Sequence, residues 1–203
     1  MKKYIKCARY NEEKAFSPDS YVRMGYAMRV KNPELLEIYA HDPDSGVRYA
    51  LAKNPNLPAS VVEALSMDSD YNVRDFLACN PAVPVNTLRS FADSPILSVR
   101  VYTTLNPNVT SDILDKLASD DDEPVRRAVA NNPKTSPETL TMLADDDDWN
   151  VVSCVAGNRS TPTPVIKELL YKHLDCLSYA DIQKARATLI DRGEDIEKVY
   201  KGR

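Results

Sequence analysis

Residues 122–144 read DEPVRRAVANNPKTSPETLTMLA, and this stretch is one unit of a pattern that recurs every 26 residues. Asn-Pro stands at Asn54-Pro55, Asn80-Pro81, Asn106-Pro107 and Asn132-Pro133; Asn158 continues the series with Arg159 in place of the proline. Seven residues before each asparagine stands a valine: Val47, Val73, Val99, Val125 and Val151. Arginine follows the first four (Arg48, Arg74, Arg100, Arg126), and Val152 takes the fifth place. Eleven residues after each asparagine come Leu65-Ser66, Phe91-Ala92, Leu117-Ala118, Leu143-Ala144 and Leu169-Leu170. Self-similarity at a fixed period of this size marks a repeat architecture, in which each unit buries its apolar face only against its neighbours.

Within a unit the physical signals predict two short helices. Asp44, Asp70, Asp122 and Asp148 stand three residues before the valine, where a carboxylate can cap the first free amides. A first helix of about nine residues then turns Val47, Leu51 and Ala52, and their equivalents, to one side. Asn-Pro stops it, because the residue before a proline is pushed out of the α region. Pro58, Pro84, Thr110, Pro137 and Pro162 open the second helix, where a missing N–H costs nothing. That helix buries residues such as Val62 and Leu65, or Leu88 and Phe91. Helices this short are marginal alone in water, so stacking has to supply the missing burial.

The array has irregular ends. Val22-Arg23 and Asn32-Pro33 echo the motif, and residues 17–41 are expected to form a degenerate capping repeat with a longer first helix and a shortened link. Residues 1–16 form a basic segment ahead of it, and residues 42–171 hold five full repeats. In residues 172–203, Ser178 and Asp181 resemble a capping box. Ile182, Ala185 and Leu189 would line one face of the helix it opens, and Gly193 would end it, giving C-terminal capping helices.

The pattern Asp-x-x-Val-Arg-x-x-x-Ala-x-Asn-Pro, followed by the leucine-bearing second helix, resembles the leucine-rich repeat variant family of the HEAT-like group. It is clearest in residues 44–66 and 122–144. The resemblance implies an all-α fold, a right-handed superhelical α-solenoid of 26-residue two-helix repeats in which one helix of a pair can be 3₁₀. It implies no reaction. The family's founding type carries a cysteine-ligated iron–sulfur domain ahead of its repeats; here only Cys7 lies in that region, so no cluster is carried over.

Composition narrows the function. Net charge is −4, but residues 1–40 carry +3, residues 41–171 carry −8 and residues 172–203 carry +1. An acidic middle repels phosphate, which argues against direct nucleic-acid binding. No apolar run reaches the roughly 18 residues of a membrane span, and no signal-type stretch follows Met1–Lys6, so a cytoplasmic setting is expected. Cys7, Cys79, Cys154 and Cys176 are too scattered for a zinc site and read as reduced thiols. The runs Asp120–Glu123 and Asp145–Asp148 lack the turn glycine of a calcium loop and read as solvated helix caps, so no metal or cofactor is expected. His41 and His173 lie near opposite ends of the array, and no phosphate loop is present, which leaves catalysis without a constellation.

Two features remain. The arginine column reads as a structural ladder, with each capping aspartate four residues ahead of its arginine, as in Asp44 to Arg48. The third repeat departs from the others: Pro95-Ile96-Leu97 breaks the Asp-x-Asp linker, and Val101 and Leu105, with Tyr102 beside them, take positions held elsewhere by Tyr49 and Lys53, Asp75 and Cys79, or Arg127 and Asn131. Ile96, Leu97, Val101, Tyr102 and Leu105 therefore form either an exposed docking patch or a local repacking around Thr103 and Thr104. The function expected is a non-catalytic protein-binding scaffold; the alternative is an acidic inhibitor that mimics nucleic acid in the groove of a host enzyme.

Overall fold

The structure is a computed structural model and describes residues 15–197. Cys7 and most of the basic 1–16 segment lie outside the described residues. Thirteen α-helices and one 3₁₀ turn lie wholly within the described residues, and no strand occurs among them. No helix among them is long and apolar enough to cross a membrane.

The described chain divides into two compact units. The first holds α1 (Ser20–Ala27), α2 (Pro33–Ala40), α3 (Ser45–Ala52), α4 (Ala59–Ser66), α5 (Tyr71–Ala78) and α6 (Val85–Phe91), together with residues 106–108. Here α3 packs between α1 and α5, while α2 and α4 lie against each other on the other layer. The second holds α7 (Leu97–Thr104), α8 (Ser111–Leu117), α9 (Glu123–Asn131), α10 (Pro137–Leu143), α11 (Trp149–Gly157), α12 (Thr163–Lys172), the 3₁₀ turn Leu174–Cys176 and α13 (Tyr179–Asp191). In it α7, α9, α11 and α13 pack in succession. This is the paired-helix stacking of an α-solenoid, and both helices of each pair are α-helical. The 3₁₀ variant that the family resemblance allows is confined to the short turn before α13.

The predicted inward positions are the core. Val47, Leu51, Ala52, Leu65, Val73, Leu88, Val125, Leu140 and Val151 have no exposed surface. Each valine or leucine so buried contributes about 1.5–3 kcal/mol. Asp44, Asp70 and Asp148 cap α3, α5 and α11, each accepting from the N–H two residues on at 2.7–2.8 Å. Asp122 does not cap α9, because its Oδ2 takes Nη2 of Arg100 instead.

The ends carry one correction. α1 is eight residues, no longer than α3. It stops at Ala27 because the Asn54 amide claims the carbonyls of Ala27 and Val30, at 2.8 Å each. Asn32 is not the repeat asparagine but the cap of α2, accepting from the N–H of Glu34. At the other end Ser178 Oγ accepts from the Asp181 N–H at 3.1 Å. Gly193, at φ +76°, closes α13 with bonds from its own N–H to Ile190 and from Glu194 N–H to Leu189, the Schellman pattern. Ala185 and Leu189 are buried and Ile182 is half-buried.

Candidate functional site

The repeat builds two internal ladders, and the surface that remains is what a partner can read. The first ladder uses the arginines. Nε and Nη2 of Arg48 straddle the Asp68 carboxylate at 2.6 and 3.0 Å. Arg23 holds Asp42, Arg100 holds Asp120 and Arg126 holds Asp146 in the same fork, at 2.7–3.1 Å. The partner is thus the aspartate two residues before positions 44, 70, 122 and 148 in the next linker, 19 or 20 residues on. It is not the aspartate four residues back that helix spacing suggested: Asp19 and Asp44 are turned onto the free amides of their own helices, and Asp122 is taken by Arg100. Nη1 of each arginine reaches a linker carbonyl six residues back, as Arg48 does to Asp42. Burial raises the Asp146 pKa, but the Arg126 fork and the Asp148 N–H outweigh it and hold the carboxyl below its ordinary range. Asp42 is lowered in the same way by Arg23 and the Asp44 N–H.

The second ladder uses the asparagines, whose role sequence reasoning reduced to stopping a helix. Asn80 Nδ2 donates to the carbonyls of Ala52 and Asn54, at 2.5 and 2.9 Å. Asn106 does so to Ala78 and Asn80, and Asn158 to Ala130 and Asn132. Each Oδ1 then accepts the N–H two residues on, as from Ala82 and Ser160. The small column Ala52, Ala78, Thr104 and Ala130 is fully buried, and its carbonyls are the ones the asparagines reach. Those small residues were the available signal: only they let the next amide approach.

In the first unit an open groove of about 410 Å³ runs beside the arginine ladder, lined by His41, Pro43, Met67 and Ser69 with Asp42, Arg48 and Asp68. Its charged groups are already paired, Arg48 with Asp68 and Asp42 with Arg23. Cys79 and Cys154 form no disulfide, and burial pushes the Cys79 thiol up to about 11. No group of three or more metal-ligating side chains occurs among the described residues.

The five residues singled out in the third repeat all lie at α7. Ile96 is its N-cap residue and gives it no side-chain cap; the Ser94 hydroxyl accepts the Ile96 N–H at 3.2 Å. Leu97, Val101 and Leu105 are four apart and share one stripe, with Leu97 39% and Leu105 58% exposed and Val101 half-buried. Ile96 and Tyr102 are half-buried beside it. Thr103 and Thr104 are buried and bond back to the carbonyls of Val99 and Val101. In the same unit Arg127 and Asn131 stand exposed at the equivalent positions of α9.

Comparison with known proteins agrees with the architecture. Residues 125–148 match the family model described as Leucine rich repeat variant. A solved leucine-rich repeat variant, described as having a novel repetitive structural motif, aligns with a TM-score of 0.61 at 24% identity, over 86% of this chain and 68% of that one. An engineered protein of known crystal structure aligns over 94% and 96% of the two chains, at 18% identity and a TM-score of 0.34. The sequence matches no curated protein. The family match and the first alignment bear out the resemblance read from the repeat, and the alignment speaks for fold alone.

Proposed function

We propose that this chain is a non-catalytic protein-binding scaffold and that α7 carries its docking patch. The observation behind this reading is the apolar stripe of Leu97, Val101 and Leu105, which leaves two leucines in solvent where α9 presents Arg127 and Asn131. Repeat folds offer extended side-chain surfaces rather than enclosed pockets, and an apolar cluster within a polar surface is the ordinary anchor of a protein interface. Ile96 and Tyr102 would form the edge of the anchor. The setting is the cytoplasm, in keeping with thiols at Cys79, Cys154 and Cys176, and nucleic acid is not a partner. The acidic-mimic alternative has less support, because Asp120 and Asp146 are engaged by Arg100 and Arg126 and only part of each run faces solvent.

The test is affinity capture from the native cell with mass spectrometry, repeated with Leu97→Glu and Leu105→Glu together. Exposed positions tolerate such changes within about half a kcal/mol, whereas a buried unpaired carboxylate costs several. Loss of the captured protein with an unchanged melting curve is the expected result. Capture equal to wild type, or a collapsed melting curve, would remove the patch from consideration. Capture that weakens steeply with salt irrespective of these two leucines would favour the acidic mimic.

A further inference from the structure

The α7 stripe borders an excess of negative charge within its own unit. Among residues 92–105 and 109–197, 19 aspartates and glutamates stand against 11 lysines and arginines. The excess reaches the stripe itself. Arg100, three residues after Leu97 and one before Val101, draws in two carboxylates: its Nε and Nη2 straddle Asp120, and Nη2 also meets Asp122 Oδ2. One guanidinium thus serves two acids, and the Asp122 side chain stays half-exposed. Asp121, between them in the chain, is exposed, and its side chain has no partner among the described residues. On α9 the nearby cation Arg127 is taken by Glu123 at 3.3 Å, so that pair adds no net charge. Beside the N-terminal half of the stripe, one arginine therefore faces three aspartates.

We infer that the α7 patch receives a basic amphipathic helix of a protein partner, with apolar residues on Leu97, Val101 and Leu105 and lysines or arginines on Asp121 and Asp122. This rests on the docking reading of α7 and gives the partner a chemistry. From Leu97 to Leu105 the stripe runs about 12 Å, two helical turns, which a second helix laid alongside meets with residues three, four and seven apart. No strand occurs among the described residues, so they offer no sheet edge to an extended peptide. Leucines supply the contact area, and the aspartates decide which apolar helices are admitted: an acidic one would bring like charges together at Asp121 and Asp122. The same charges set the direction of docking, with the basic end of the partner toward the N-terminus of α7.

The experiment titrates the full chain into fluorescein-labelled helical peptides of about four turns and follows their anisotropy. Two peptides share one leucine stripe and carry lysine or glutamate on the rest of the helix. The lysine peptide should bind, and the glutamate peptide at least about tenfold more weakly. Leu97→Ser with Leu105→Ser should weaken the lysine peptide at least about tenfold; serine is used because glutamate would add the charge that lysine seeks. Asp121→Asn with Asp122→Asn should weaken it about three- to tenfold, a loss that shrinks as salt is raised. Equal binding of the two peptides to wild type overturns the inference, and this arm needs no variant to fold. Binding of neither peptide also overturns it, as does lysine-peptide binding that ignores the leucines while the melting curve is unchanged. A captured protein that needs Leu97 and Leu105 but is indifferent to the two asparagine changes sinks this inference and leaves the docking reading standing. Capture independent of the leucines sinks both.

Discussion

Asn80 shows how much one side chain carries in this fold. It is 4% exposed, and its amide satisfies two carbonyls and one N–H. Asn80→Ala leaves all three unpaired and is expected to cost about 2–4 kcal/mol, measured by urea unfolding. The arginine rungs give a pH signature. Asp42 and Asp146 are held below their ordinary pKa, so their contribution is complete above the unfolded value, near pH 4, and is lost as pH falls through the lower folded value. Stability should therefore fall below about pH 4. Asp146→Asn, less stable at neutral pH, should converge on wild type there; a constant gap between the two urea midpoints down to pH 2 would count against the rung. The asparagine period is plain in the sequence, yet what Asn80 touches is not, because its acceptors are main-chain carbonyls that carry no sequence signal. Arg48 misled for a related reason. Asp44 is near along the helix, while Asp68 comes near only after the chain has folded through α4.

At the scale of the element, the helices were legible because apolar spacing recurs in every unit and caps and Asn-Pro stops reinforce it in most of them. The two glycines Gly25 and Gly157 test what their lengths and packing require. A Cβ at Gly157 would lie 2.6 Å from Asp181 Oδ1, where α11 meets α13. Asp181 cannot easily withdraw, since it also accepts from Ser153, Ser178 and Lys184. Gly157→Ala should destabilise by about 1–3 kcal/mol through overpacking. Gly25 in α1 has nothing within 4 Å of such a Cβ, and Gly25→Ala should stabilise by about 0.5–1 kcal/mol by restricting the unfolded chain. Opposite shifts in melting temperature check both. The patch on α7 was legible only as an anomaly: sequence showed that Leu97, Val101 and Leu105 break the pattern, but exposure depends on which neighbours pack, and a linear pattern does not contain that.

For the whole molecule, stability is distributed along the chain in contacts between neighbours, and no helix pair is self-sufficient. In the second unit α13 covers α11, whose Val152, Val155 and Ala156 are buried. Ending the chain after Lys172 should expose that face, lower the unfolding midpoint and produce concentration-dependent association in sedimentation; an unchanged monomer would show that α13 is dispensable. The asparagine ladder has a further consequence, for how such a chain can change length. Asn158 reaches back 28 and 26 residues, to Ala130 and Asn132. Excising residues 132–157 would hand its amide the Thr104 carbonyl that Asn132 now takes, whereas excising 25 or 27 would offer it the wrong atom. Growth and shrinkage are therefore quantised: this architecture accepts whole periods, by duplication or loss, and rejects the single-residue insertions that a surface loop would absorb.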